Sequence, residues 1–134
     1  MLLQQPPDDD YAIIGGHVAF GETAEEALRR EYGEELHADI VVDRLLAVGE
    51  LFFPWGERRC HQIALCYRIR LAAPDSLPAA GRWPGYDERG GVRTNLSYVW
   101  VPLSQLNRLK LCPPELIPLL QEEPEGVASF ISRS

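Results

Sequence analysis

Along the 134 residues the spacing of hydrophobic and polar positions changes period several times. Leu2 and Leu3 read as the tail of a strand, Gln5 to Asp10 as an exposed turn, and Tyr11 to Ile14 as a second short extended piece before Gly15-Gly16. The period then becomes helical. Ala24, Ala27, Leu28, Tyr32 and Leu36 fall on one side, which predicts an amphipathic helix with that stripe toward the core. Thr23 and Glu26 form a Thr-x-x-Glu capping box at its start, and it is predicted to end near Leu36-His37. From Ile40 to Phe53 a run rich in Val, Leu and Phe predicts one or two strands, bent at Gly49. Beyond the loop Pro54–Arg59, Ile63, Leu65, Tyr67, Ile69 and Leu71 alternate with Gln62, Ala64, Cys66, Arg68 and Arg70, a strand with one apolar face. Pro74, Pro78, Gly81, Pro84 and Gly90-Gly91 mark residues 73 to 96 as a long loop, a length usually tied to function. Ser97 to Pro102 reads as a further strand, and Leu103 to Leu109 and Pro114 to Gln121 as short helices. No internal repeat breaks the pattern, so residues 1–134 are expected to form a single domain around one core.

Composition narrows the class. With 46% hydrophobic and 25% charged residues the chain reads as globular. Its formal net charge of −7 argues against nucleic-acid polymers and anionic membranes as partners. No stretch approaches the roughly 20 apolar residues of a membrane span, and Met1 to Pro7 lacks a basic leader. Cys60, Cys66 and Cys112 are odd in number and lack CxxC spacing, which points to no disulfide framework and no zinc site. They are expected to be buried or half-buried thiols in a reducing, cytoplasmic setting.

The chemistry lies on the predicted helix. Glu31, Glu34 and Glu35 stand at i, i+3 and i+4, so their carboxylates converge beside the core stripe. Like charges at this spacing cost a few tenths of a kcal/mol per pair, and a divalent cation would reverse the sign. Such hard oxygen ligands suit Mg²⁺ or Mn²⁺, which bind through a few carboxylates, waters and substrate phosphates. Taken alone, an acidic cluster on an amphipathic helix is more often a solvated face.

The wider pattern alters that balance. Residues 16 to 38 resemble the Nudix box, G-x5-E-x7-R-E-U-x-E-E-x-G-U, with Gly16, Glu22, Arg30, Glu31, Glu34 and Glu35 in register. Tyr32 stands where an aliphatic residue is usual, His37 replaces the box glycine, and Ala38 is small for the last apolar site. The glycine position suits a left-handed C-cap, which His adopts at a cost. Outside the box, Tyr11-Ala12-Ile13-Ile14-Gly15-Gly16 is similar to the family's aromatic-x-apolar-Pro-Gly-Gly segment, with Ile14 in the proline place, and Trp100-Val101-Pro102-Leu103 to its late strand-to-helix junction.

The resemblance implies an α/β Nudix fold, an α/β/α sandwich around a central mixed sheet. It implies hydrolysis of a nucleoside diphosphate linked to a group X, through attack of water on a bridging phosphorus. Carried over by position, Glu31, Glu34 and Glu35 are metal ligands and catalytic acids, one of them assisting deprotonation of water, and the Gly15 carbonyl completes the site. Which glutamate is the base stays open. Glu22 and Arg30 are the pair that braces loop to helix around Gly16. The family begins with a fuller strand and hairpin before the box, so either the first strand is truncated or a partner, such as a second copy in a homodimer, covers an open sheet edge.

Substrate contacts are less sharply marked. Between Arg44 and Arg93 eight arginines face five acids. Arg58, Arg59, Arg68 and Arg70 are candidate phosphate contacts, as guanidinium forms bidentate bonds, although solvated arginines are equally common. Trp55, Trp83 and Tyr86 are candidates to stack on a base, or else packing anchors. Pro54, 16 residues after the box, is similar to a proline in ADP-ribose pyrophosphatases of the family and equally suits any turn. Glu50 and Glu88 are candidates for a further acid from outside the box, while His17, His37 and His61 show no metal-ligand spacing.

Two functions follow. One is an Mg²⁺-dependent hydrolase cleaving the pyrophosphate link of a nucleotide sugar, an ADP-ribose-like molecule or a nucleoside triphosphate. The other is a nucleotide-binding or regulatory module that keeps the box without turnover. The acidity fits either, because six Glu against Arg29 and Arg30 concentrate negative charge between Gly16 and Ala38. A small phosphorylated substrate carried in with its cation remains compatible with the bulk charge.

Overall fold

The capping box and apolar stripe become helix α1, Ala24–Leu36, in the computed structural model, which describes residues 1–6, 10–89 and 91–133, the side chains of 87–89 excepted. Thr23 Oγ1 accepts the Glu26 N–H at 3.1 Å, the hydroxyl half of the box. Ala27, Tyr32 and Leu36 are buried, and Leu28 packs on the same cluster. The helix stops at His37, whose backbone is left-handed at φ 52°, ψ 38°. Its N–H donates to the Gly33 carbonyl at 3.2 Å, and the Ala38 N–H to Tyr32 at 3.4 Å. These bonds satisfy carbonyls that the last turn leaves open.

Eight strands complete the fold: β1 (Leu2–Gln5), β2 (Tyr11–Ile13), β3 (Ile40–Trp55), β4 (Arg58–Leu71), β5 (Arg82–Arg89), β6 (Val92–Trp100), β7 (Leu111–Cys112) and β8 (Ala128–Arg133), with helix α2 at Leu116–Gln121. Both sheets are mixed. One runs β5-β6-β1-β2-β7, with only β2–β7 parallel; the other runs β4-β3-β8, with β3–β8 parallel.

Neighbouring residues of a strand face opposite ways, and the core clusters use both faces. Leu2, Tyr98, Ile69 and Leu71 pack with Tyr32 and Leu36 of α1. On the other face Leu3 packs with Ile117 and Leu120, and Ala47 and Cys66 pack with Leu116, all from α2. The helices therefore cover opposite faces of the strand layer, the expected α/β/α sandwich, with its sheet divided in two. Each fully buried Leu in these clusters contributes about 2 kcal/mol of burial energy.

Several expectations need correction. The long loop at residues 73 to 96 contains a 3-10 turn, Pro74–Ser76, and then the whole of β5 and the first half of β6. These two strands pair antiparallel from Arg82↔Val99 to Arg89↔Val92, so the strand expected at Ser97 begins at Val92. Strand β3 passes Gly49 unbroken; its irregularities fall between Val42 and Arg44 and between Leu45 and Ala47. Cover changes sides along β4: Ile69 and Leu71 pack with the α1 cluster, whereas Cys66, on the opposite face, is buried against Leu116, and Ile63 and Leu65 of the expected inward face are 62% and 44% exposed. The segment expected as a helix at Leu103–Leu109 is 3-10 (Leu103–Arg108), and Cys112 is exposed. Strand β1 is flanked by β6 and β2 and is not an edge; among the described residues the edge strands are β5 and β7 of one sheet and β4 and β8 of the other.

A left-handed conformation costs an L residue about 1 kcal/mol, and glycine escapes that cost. His37→Gly is therefore expected to raise stability by about 0.5–1 kcal/mol. A urea titration checks this: the midpoint rises at unchanged slope, and an unchanged or lower midpoint contradicts it.

Candidate active site

The site grows from the loop between β2 and α1. Arg30, on the second turn of α1, reaches back across that loop. Its Nε donates to Glu22 Oε2 at 3.1 Å and its Nη2 to Glu22 Oε1 at 2.8 Å, a bidentate pair. Nη2 also donates to the His17 carbonyl at 3.0 Å. The remaining nitrogen, Nη1, turns toward the helix and donates to Glu31 Oε1 at 3.0 Å and Glu34 Oε2 at 3.4 Å. Glu22 in turn accepts the Ala19 N–H at 2.7 Å. One guanidinium thus ties the loop to two of the three clustered glutamates.

Gly16 explains the position of Glu31. A Cβ on Gly16 would collide with the Glu31 carboxylate, so only a glycine lets that carboxylate rest on the loop backbone. Glu35 points elsewhere: the Tyr98 hydroxyl stands 3.5 Å from its Oε2, at the long limit of a hydrogen bond. Tyr98 is 1% exposed, so β6 supplies a rigid neighbour to the acidic face.

Electrostatics follow the geometry. The Arg30 guanidinium, helped by the Ala19 N–H, holds the Glu22 carboxyl below its ordinary value. The glutamates in turn hold Arg30 more firmly protonated than usual. Burial, with the Glu35 charge beside it, pushes the Tyr32 hydroxyl up, keeping it neutral. Burial likewise pushes the Cys66 thiol up to about 11, which makes it a packing group.

The other candidates are dispersed. Arg68 and Arg70 lie on the β4 face away from α1 and pair with Glu123 at 2.8 Å and Asp43 at 3.2 Å. Arg58 and Arg59 are exposed beside the Gly56-Glu57 turn of the β3–β4 hairpin. Glu50 bonds His61 Nε2 at 2.7 Å, and that ring stacks on Phe52. The Glu88 side chain lies outside the described residues. Trp83 packs beside Tyr98 in the core, Tyr86 carries the Arg93 guanidinium 3.8 Å above its ring, and Trp55 is exposed. Tyr98, and the reach of Arg30 to Glu31 and Glu34, were not anticipated; the i, i+4 spacing of Arg30 and Glu34 was the available signal.

Among the described residues, no three acidic, His or Cys side chains stand close enough to enclose an ion by themselves. The donor chemistry nonetheless fits Mg²⁺ or Mn²⁺. These ions need only one or two carboxylates alongside waters and substrate phosphates, and the cradle at Gly16 presents Glu31 to the loop backbone. Hard carboxylates on a helix braced to its preceding loop, within an α/β/α sandwich, suit a class of proteins that handle phosphates through divalent cations. A family model described as the NUDIX domain matches residues 1–121. The chain belongs to the Nudix family, hydrolases of pyrophosphate-containing substrates. No curated protein matches the chain.

Because Glu22 is held below its ordinary value, its ionised form contributes stability above that value, and the contribution is lost as the pH falls through the folded one. Thermal unfolding followed from about pH 7 down to about pH 3 should show a steeper acid fall in wild type than in Glu22→Gln. Parallel curves contradict the brace.

Proposed function

We propose that this protein is an Mg²⁺-dependent Nudix hydrolase, Mn²⁺ serving equally, that cleaves the pyrophosphate link of a small nucleotide-like substrate: a nucleotide sugar, an ADP-ribose-like molecule or a nucleoside triphosphate. The observation that carries this reading is the single guanidinium that ties Glu22 and the loop backbone to Glu31 and Glu34. Glu31, Glu34 and Glu35, with the Gly15 carbonyl, would hold the cation. A cation bound there would supply charge to neutralise bridging phosphates and would lower the pKa of water.

The chain's own residues do the rest. Arg30 fixes the loop against the helix, so the acidic face keeps one geometry as charge develops. Gly16 lets Glu31 lie against backbone instead of swinging free. Glu35 lies beside the buried Tyr98 hydroxyl, and we assign it the proton from the attacking water. Among the described residues no helix is long and apolar enough to cross a membrane. We further propose that residues 1–134 act as one catalytic domain in the cytoplasm.

Phosphate release from a panel of nucleoside diphosphate derivatives with Mg²⁺ tests the reading. Wild type is expected to turn over at least one of them, and Glu35→Gln to lose on the order of 10²–10⁴-fold in kcat. Equal rates in the two proteins overturn the assignment. Saturable binding with no turnover in wild type would mark a nucleotide-binding module instead.

A further inference from the structure

Among the described residues Tyr98 of β6 is the largest fully buried side chain, and it carries a hydroxyl into the core. Phenylalanine would fill the same space with no polar atom to satisfy, so packing alone does not call for that hydroxyl. Its acceptor is Oε2 of the half-buried Glu35, 3.5 Å away. The neighbouring strand is shaped to hold the ring that delivers it. Gly85 of β5 lies against the ring, and a Cβ there would strike its Cδ2, Cε2 and Cζ atoms. Trp83, the partner of Tyr98 across the ladder, stands on another side, with ring centroids 5.9 Å apart and planes at 43°. Tyr32 and Leu36 of α1 pack in the same cluster. Close packing of this kind holds a side chain to one rotamer, so the hydroxyl reaches the acidic face from a fixed point.

We propose that Tyr98 is a positioning residue for the reaction: its hydroxyl donates to Glu35 and fixes the orientation of the carboxylate that takes the proton from water. The proposal rests on the hydrolase reading for the role of Glu35, and on the contact between the two side chains for the rest. A glutamate turns about three side-chain bonds, whereas a working base must be held within about 0.5 Å and 10–20° of its productive geometry. Arg30 supplies that restraint to Glu31 and Glu34 through charged hydrogen bonds. Glu35 is met by β6 instead. A phenol donates without bringing a positive charge, so it orients the carboxylate without cancelling the charge that draws a proton or a cation. Gly85 and Trp83 take part through the ring alone, and neither touches Glu35 by any bond that the geometry requires.

Four proteins test the proposal: wild type, Tyr98→Phe, Glu35→Gln and the double variant, each assayed for phosphate release with Mg²⁺ and the best substrate of the nucleoside diphosphate panel. Tyr98→Phe should keep its circular dichroism and lose about 10–100-fold in kcat, with KM changed less than about threefold, since the hydroxyl touches a carboxylate and not the substrate. In the Glu35→Gln background the same substitution should lower kcat less than about twofold, because the hydroxyl acts through the carboxylate. A merely structural role would lower both backgrounds alike. Crystal structures of metal-free wild type and Tyr98→Phe read the orientation without any turnover. Wild type should show one Glu35 conformer bonded to the Tyr98 hydroxyl, and Tyr98→Phe a displaced or divided Glu35 on an unchanged helix backbone. The proposal is overturned if Glu35 keeps one orientation in both structures, if Tyr98→Phe turns over as fast as wild type, or if its loss is equal in the two backgrounds. Absence of turnover in wild type would contradict the hydrolase reading instead, and the pair of structures would still decide whether Tyr98 orients Glu35.

Discussion

The acidic face of α1 depends on one guanidinium. Three carboxylates within two turns of α1 repel one another, and a glycine-rich loop has no structure of its own to hold a helix end. Arg30 resolves both problems, since its planar fork offers five donors fixed in direction. Two of its nitrogens bind Glu22 and one of those also takes the His17 carbonyl, while the third answers Glu31 and Glu34. A lysine would supply the charge without the directions. Loop, helix and acidic patch therefore form a unit, with Gly16 shaped to receive Glu31.

That unit is seated by packing on both sides. Tyr32 and Leu36 anchor α1 in the same cluster as Leu96 and Tyr98 of β6, and Tyr98 then approaches Glu35. Trp83, beside Tyr98, extends the cluster into β5. The segment from 82 to 100 thus builds the floor under the helix. The second sheet reaches α1 mainly through Val42, Ile69 and Leu71 at one end.

Local chemistry made α1 and its surroundings readable from sequence. The cap at Thr23, the apolar stripe and the left-handed stop at His37 each rest on residues within a turn or two, so the sequence pattern and the structure agree. The box spacing carried Glu22, Arg30 and the glutamates in the same way. The hairpin of β5 and β6 was illegible because its proline and glycine read as loop. Pro84 is tolerated since β5 lies at the sheet edge, and Gly85 is needed because a side chain there would strike the Tyr98 ring. Neither fact is visible without the partner strand. The ion pairs of Arg68 and Arg70 likewise join residues far apart in sequence, Glu123 and Asp43, and which face of β4 is covered depends on where the α1 and α2 clusters meet it.

The central claim is that the braced glutamates hold a divalent cation, and Mn²⁺ binding measured by electron paramagnetic resonance tests it most directly. Wild type should bind saturably, with Glu31→Gln weakened by about 10–100-fold at unchanged fold, because loss of one carboxylate removes a ligand and a charge. Equal Mn²⁺ affinity in wild type and Glu31→Gln would contradict the account.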